Sequence, residues 1–549
     1  LENLWFDTAA ICEPEPFMAI LEACGPRRLL WGSDFPISEH RGRAVTAGDG
    51  FLWITPDMVA PQAISPCRLL PLGLESLRAL MTAADTMGLD ADDLADIFSG
   101  NAERVLGLEK KGVEQTQSLY RHARECIPGG TQLLSKRPEM FAPGQWPAYF
   151  REARGCEVWD LDGRRYHDFS THGIGACLLG FRDPSVTRAV QRRLHLGAFS
   201  TLNAPEEVAL ADRLCEIHPW AQQVRFARTG GEALAVAVRI ARATTDRSVV
   251  AVCGYHGWHD WYLAANLGED DSLRGHLLPG LQPLGVPREL RGTCYPFAYN
   301  NQDAFDRIVD EHGSRLAAVV MEPCRRVNPQ PGFLEHVQQR TRQSGGLLVF
   351  DEVTSGWRLT FGGAHLLYGV APDLAVFAKS LGNGHPIAAI LGTREAMQGA
   401  HASFISSTYW TDAIGPAAAL ATLDKMAASS VPDHCRHVGE CVTAIWKDTA
   451  CRHGLPVDIP PAFPALASFG FQHEQAPALK TLFTQWMLDH GFLAGLTVYA
   501  CLAHTDELIN RYATAVDAVF GRLSSVIEND DVASHLRGPV AHSGFGRLA

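Results

Sequence analysis

The chain has 549 residues, too many for one ordinary core, so two or three domains are expected. Its 46% hydrophobic and 20% charged residues are ordinary for a soluble globular protein that can bury a large core. The formal net charge of −13, from 48 Lys+Arg against 61 Asp+Glu with no basic run, argues against nucleic acid or an anionic membrane as partner.

Taken in order, residues 1–108 show a strand-like "LWFDTAA", a helix around "FMAILEAC", a strand "RLLWGSDFP", and a long helical stretch closing with "DLADIFSGNAERVLGL". This alternation reads as the last βα units of a larger barrel or sheet, incomplete by itself. The charged, aperiodic "EKKGVEQTQ" then marks a boundary, with a linker at 109–112. A helix near 114–126 leads to the turn "IPGGTQ" and to a hairpin in "GCEVWDLDGRRYHDF", turned by "DLDG". From about 176 to 425, strand-like runs alternate with helical stretches: "QVRFART", "SVVAVCGYHG", "LAAVVMEP", "GLLVFDEV", "LAVFAKS" and "IAAILGT". That is the pattern of an α/β, mainly parallel sheet wrapped by helices. Past about 426, two helical segments and short strands read as an α+β lobe, with a loosely packed tail over the last 20 residues or so. No stretch approaches the roughly 20 apolar residues of a membrane span. No stretch has the basic start and small-residue cleavage site of a signal peptide, so none is expected. The 14 cysteines form no paired CxxC units, as in a reduced, cytoplasmic compartment. The chain opens at Leu1 and reads as part of something longer.

Three features converge on one chemistry. Thr229, Gly230 and Gly231 in "RTGGEALAVAVRIARATT" end a strand directly before a helix, where glycines and free N–H donors admit a phosphate. A glycine turn before a helix is also plain strand-to-helix geometry. "SVVAVCGYHG" delivers Tyr255, His256 and Gly257 to the carboxyl end of a strand, where open α/β sheets bind ligands. An aromatic ring there can stack on a cofactor, although Tyr255 and His256 standing alone would read as packing. The following "WHDW" reads as aromatic packing and not as a metal site. Finally, "LLVFDEV" and "LAVFAKS" end buried strands in Asp351 and Lys379. Pyridoxal 5'-phosphate needs a lysine for its aldehyde and a carboxylate to keep its pyridine nitrogen protonated. Either charge could be a helix cap or a solvated strand end; in this order with the turn and the aromatic, they point to that cofactor.

Residues from about 113 to 525 resemble the class III, fold-type I, pyridoxal-phosphate-dependent aminotransferases, near the glutamate-1-semialdehyde aminomutase branch. The resemblance is carried by "TGGEA", "GYHGWHD", "MEP", "PGFLEHV", "LLVFDEVTSGWR", "PDLAVFAKSLGNGHPIAAILG" and "LAHTDE". It implies a large sheet domain (176–425) and a small α+β domain built from 113–175 and 426–549. It places the Schiff-base lysine on Lys379, the pyridine-nitrogen carboxylate on Asp351, the stacking aromatic on Tyr255 and the phosphate turn on Thr229, Gly230 and Gly231. A threonine lent by the neighbouring subunit falls on Thr408, which implies a homodimer with shared active sites. The implied reaction moves an amino group from an amino donor to a carbonyl substrate.

The pattern departs from the aminomutase at several points. "EPCRRVNPQPGFLE" is shorter and carries Arg325 and Arg326, Leu496 stands where the mutase has a glutamate, and Lys136 in "GGTQLLSKRP" replaces a substrate-loop arginine. Lys136 and Arg325 are the substrate-binding candidates. Intramolecular aminomutase chemistry is the alternative reading. "HLLPGLQPLGVPRELRG" and "EPCRR" resemble aminotransferases of sugar biosynthesis. "NLWFDTAA", "RLLWGSDFP" and "IFSGNAERVLGL" resemble the last third of a metal-dependent amidohydrolase barrel, which implies Asp34 as its catalytic, sometimes metal-binding, aspartate. A mononuclear site takes about three protein ligands, and this segment shows one. It is expected to be inactive as it stands, with hydrolase or decarboxylase activity an alternative for a longer parent.

Overall fold

A computed structural model describes residues 5–542 apart from 9, 49, 60–67, 107–113, 269–281 and 325–326. Contacts divide the chain into two units, 1–113 and 114–549.

In the first unit, the strands Phe6–Asp7 and Leu29–Leu30 pair in parallel. The helix Leu72–Met87 buries Leu72, Ser76, Ala79, Leu80, Ala83 and Ala84, a three-to-four-residue stripe. It packs with Phe17 and Leu21 of the helix Pro14–Cys24, and with Leu29 and Ile97. Buried Asn101 donates its side-chain amide to the carbonyls of Pro26 and Leu29, at 2.8 and 2.7 Å, and so closes the loop before the second strand. An antiparallel hairpin, Arg43–Ala47 with Gly50–Ile54, is not among the elements expected from the sequence. Its Phe51 and Leu52 are exposed, so it lacks the alternation by which a half-buried strand is recognised.

The second unit is built on a seven-stranded sheet: β1 (Gln223–Ala227), β2 (Val249–Cys253), β3 (Cys294–Pro296), β4 (Leu316–Met321), β5 (Leu347–Asp351), β6 (Leu374–Phe377) and β7 (Ala388–Gly392). Its order is β3-β2-β4-β5-β6-β7-β1. Neighbours are parallel except at β7, which runs antiparallel to both β6 and β1. Two reversals restore direction, so β1 points the same way as β2, β5 and β6, and their carboxyl ends open on one edge. Strands covered on both faces must be apolar throughout; β2, β4 and β6 are buried at every residue. All six strand-like runs form strands of this sheet. The edge strand β3 is only three residues long and carries no apolar run to announce it.

Helix α1 (Gly230–Thr245) covers the sheet with Ala233, Leu234, Val236, Ala237, Val238, Ile240 and Ala241. Its small residues allow a close approach.

The strands Glu157–Asp160 and Arg165–Phe169 form the hairpin. Its turn is held by the Asp160 carboxylate, which accepts the N–H groups of Asp162 and Arg164 at 2.9 Å each. Phe492–Ala494, more than 300 residues later in the chain, adds to this sheet in parallel beside Arg165–Phe169. Beyond 430 the described residues form three long helices, Val431–His453, Ala476–Asp489 and Asp506–Glu528, where the sequence pattern predicts two. The tail is also tied down as far as it is described. Arg537 forms a bidentate pair with Asp489 at 2.7 and 2.6 Å, and the N–H groups of Ala541 and His542 donate to Thr481 and to the Glu139 carbonyl. Short, polar and turn-rich, the segment carries no periodic signal for these contacts. Among the described residues, no helix is long and apolar enough to cross a membrane.

Candidate active site

Asp351 is the last residue of β5 and is 3% exposed. Its Oδ2 lies 2.8 Å from Nδ1 of the fully buried His256, just past β2, and its Oδ1 accepts the Val353 N–H at 3.0 Å. His256 Nε2 lies 3.2 Å from the Cys253 carbonyl oxygen. Both imidazole nitrogens thus face oxygen atoms, one on Asp351 and one on the backbone. A buried carboxylate is tolerable only when so paired. The next residue, Glu352, is equally buried and accepts from the His365 ring at 2.7 Å, the His365 and Ala364 backbones, and Ser355. Burial disfavours its charge, but these donors outweigh burial and hold it below the usual carboxylate range. The other His365 nitrogen lies 3.0 Å from the Trp220 indole N–H.

The turn after β1 approaches this carboxylate through glycine. A Cβ on Gly230 would lie 2.9 Å from Val353 Cγ1 and 3.6 Å from the Ala378 methyl carbon. Gly230 therefore touches the residue two beyond Asp351 and the residue before Lys379. Gly257, at φ +103°, would place a Cβ 3.2 Å from the Gly231 Cα, so two glycine turns meet backbone to backbone. Thr229 caps α1 in a capping box with Glu232. The Glu232 carboxylate is occupied by the Arg228 N–H at 2.8 Å and the Trp410 indole at 3.0 Å. The first-turn N–H groups of α1 suit a phosphate. Tyr255, half-buried, stands edge-on to Tyr262 with centroids 6.1 Å apart.

Lys379 follows β6 at φ +47°, a left-handed conformation rare for a side-chain-bearing residue. Its Nζ donates to Thr354 Oγ1 at 2.9 Å. An amine, a carboxylate with a histidine behind it, an aromatic and a glycine cradle are thus brought to one edge of the sheet. This donor set fits pyridoxal 5'-phosphate at its aldehyde, ring nitrogen, ring face and phosphate.

Other predicted residues are not gathered here. Thr408 is exposed, although Arg228 anchors its segment by donating to the carbonyls of Trp410 and Asp412 at 2.9 and 2.7 Å. Lys136 is exposed, ending the short helix Leu134–Lys136, near enough to Cys177 to act on its thiol. Arg325, with Arg326, lies outside the described residues. Leu496 packs against the main apolar core. Asp34 belongs to the first unit, and its carbonyl accepts the Ser38 N–H at 3.0 Å. Among the described residues, the one His/Cys/Asp/Glu cluster of metal-holding spacing is His172, Cys501 and His504, far in sequence from Asp34. There the His504 ring already accepts from the Cys501 N–H and donates to the Asp168 carbonyl.

Sequence reasoning missed Arg358. It is 1% exposed and donates to the carbonyls of Gly175 (2.8 Å), Ala500 (3.1 Å) and Thr354 (3.4 Å) and to Ser380 Oγ (3.4 Å). It lies within "DEVTSGWR", and its one local sign is a cation in a stretch that folds inward. Thr354 and Arg228 were missed for the same reason: their partners are remote in sequence.

Residues 141–516 match the family model described as aminotransferase class-III, and residues 1–108 match the amidohydrolase model. The 3-aminobutyryl-CoA aminotransferase of Cloacimonas acidaminovorans (strain Evry) is 31% identical over 431 residues, 76% of this chain and 99% of that protein. The glutamate-1-semialdehyde 2,1-aminomutase of Syntrophobacter fumaroxidans (strain DSM 10017 / MPOB) is 33% identical over 353 residues, 63% of this chain and 80% of that protein. A solved structure of a transaminase with PLP bound superposes with TM-score 0.66 at 24% identity, covering 75% of this chain and 99% of the other. The sheet is that of the fold-type I transaminases, and the reaction is the pyridoxal-phosphate-dependent amino transfer common to the matched family. Sequence match, fold and site chemistry agree: the chain belongs to the class-III aminotransferases.

Proposed function

We propose that Lys379, Asp351, His256, Tyr255 and the turn Thr229, Gly230 and Gly231 carry the amino transfer, from an amino donor to a separate carbonyl acceptor. The observation that carries this reading is the Gly230 contact, which packs the phosphate turn at once against the segments of Asp351 and Lys379. The bound cofactor supplies an aldehyde that joins an amine and a ring that draws electrons from the adjoining carbon. Asp351 would hold the proton at the ring nitrogen, and His256 orients the carboxylate. Lys379 Nζ, once neutral, takes the proton from the substrate carbon and returns it. Tyr255 covers the ring face. We assign 176–425 to cofactor binding, 113–175 and 426–549 to the small domain, and 1–108 to an amidohydrolase-like fragment. Transfer between two substrates is favoured over an intramolecular shift because Leu496 brings a packed apolar side chain where the mutase has a glutamate.

Thr408 completes the phosphate site of a second copy in this reading. Phe404 and Tyr409, 86% and 72% exposed, flank it, and Trp258 is 68% exposed beside the glycine turns. A homodimer would cover this apolar face. The described cysteines, all free, fit a reducing, cytoplasmic compartment.

Borohydride reduction of the coenzyme-loaded protein, followed by peptide mass analysis, tests the assignment. Fixation at Lys379 is expected. Lys379→Ala should retain the fold and lose at least about 100-fold in turnover. Fixation elsewhere, or normal turnover in that variant, overturns it. An amino-donor panel with labelled nitrogen, read in the product, separates the transferase from the mutase.

A further inference from the structure

Among the described residues, Arg358 is a full cation with no anion beside it. Its four hydrogen bonds all end on neutral oxygens. The titratable groups facing it are Cys435 from the helix Val431–His453, Tyr499 from the strand Thr497–Tyr499, and Cys501 beyond it, with His172 on the loop after the hairpin. Burial holds Cys435 up at about 12 and Cys501 well above the ordinary thiol range, and it pushes His172 down to about 3, so these groups stay neutral at pH 7. The Tyr499 ring lies 5.5 Å from the guanidinium and offers a π face in place of an anion. Burial pushes the Arg358 guanidinium itself down from its ordinary value, but an arginine stays protonated near neutrality.

Two of its contacts lead to Lys379. Thr354, whose carbonyl takes Arg358 Nε, receives Lys379 Nζ on its hydroxyl, and Ser380, whose hydroxyl takes Arg358 Nη2, is the next residue after Lys379. A buried cation therefore grips both the acceptor of the lysine amine and the turn that bears the lysine. Across the site, the carboxylates at the end of β5 are Asp351, which faces His256, and Glu352, which faces the His365 ring and the Ser355 hydroxyl.

We propose that Arg358 is a positioning residue for amino transfer: it fixes Thr354 and the Lys379 turn, and its uncompensated charge biases the Lys379 nitrogen toward its unprotonated form. This rests on the reading of Lys379 as the reacting amine. Arg358 is buried and Lys379 half-buried, and like charges linked through shared partners away from bulk water disfavour one another. A general base must be neutral to act, so the arrangement prepares Lys379 to accept a proton near neutral pH.

The test is a pH titration of the visible band of the coenzyme-loaded protein, which reports the proton on the nitrogen joining Lys379 to the cofactor. Arg358→Met should raise the midpoint by about one pH unit or more, whereas Arg358→Lys, which keeps the charge, should stay within a few tenths of the parent. An unchanged midpoint in Arg358→Met, or equal shifts in both variants, overturns the proposal. Failure of both to fold makes Arg358 purely structural and also overturns it. Borohydride fixation is scored in the same samples: loss of fixation at Lys379 in the parent protein defeats the underlying reading, whereas intact fixation with an unmoved midpoint defeats only the role of Arg358.

Discussion

His256 bridges the ends of two strands, with one ring nitrogen 2.8 Å from Asp351 Oδ2 at the end of β5 and the other 3.2 Å from the carbonyl of Cys253 at the end of β2. Removing it strands a buried carboxylate. His256→Ala should destabilise the protein by about 3–5 kcal/mol, read as a fall in denaturation midpoint. Asp351→Asn keeps the shape but removes the charge, and its turnover should fall about 100- to 1000-fold. A variant at Asp351 with parental turnover would contradict the assignment.

Gly230 has no room for a side chain. Gly230→Val would press on Val353, whose Cγ1 lies 2.9 Å from where the first side-chain carbon would stand, and should cost about 1–3 kcal/mol. Coenzyme affinity should fall with it, because the turn and the Lys379 segment move together. Equilibrium dialysis of the coenzyme and thermal melts measure the two effects.

Acid should unfold this protein early. Burial, first among the causes in each case, pushes His167, His218 and His504 down to about 4 and His172 to about 3. The unfolded chain binds protons at these imidazoles below about pH 6.5 and the folded chain does not, so stability is lost as pH falls from about 6.5 toward 4. The loss is about 1.4 kcal/mol per pH unit for each histidine. Against a total of about 5–15 kcal/mol, four such groups bring the acid midpoint to about pH 5. Far-ultraviolet circular dichroism against pH reads it. His172→Phe, which keeps a ring against Phe181, should move the midpoint to lower pH.

Exposed aromatic residues on one face should be covered in a dimer. Phe404→Asp with Tyr409→Asp is expected to halve the mass measured by light scattering and to weaken coenzyme binding. A parent protein that is monomeric at working concentration would rule out a shared site.

Much of the site was legible because its chemistry is local. A strand of buried residues ending in Asp351, another ending in Lys379, and a Thr-Gly-Gly turn before a periodic helix are patterns of period and composition, readable without contacts. Arg358, Thr354, Glu352 with His365, and Arg228 were not legible. Their meaning lies in partners up to about 180 residues away, such as the Gly175 and Asp412 carbonyls. The edge strand β3, the exposed hairpin at 43–54 and the anchored tail escaped for a different reason: none buries a repeating apolar face.

The sequence by itself determined the alternating α/β order and the cofactor class, and it proposed the amine and carboxylate that would meet that cofactor, because buried strands must be apolar and a charge at their end needs a use. Only the tertiary structure decided that β7 runs antiparallel so that β1 can deliver its turn to the same edge, that residues 492–494 complete a sheet begun near residue 150, and that Arg358 donates to Ser380, the residue after Lys379. Hydrogen-bond direction and burial depend on which distant segments meet, and no local pattern of residues carries that information.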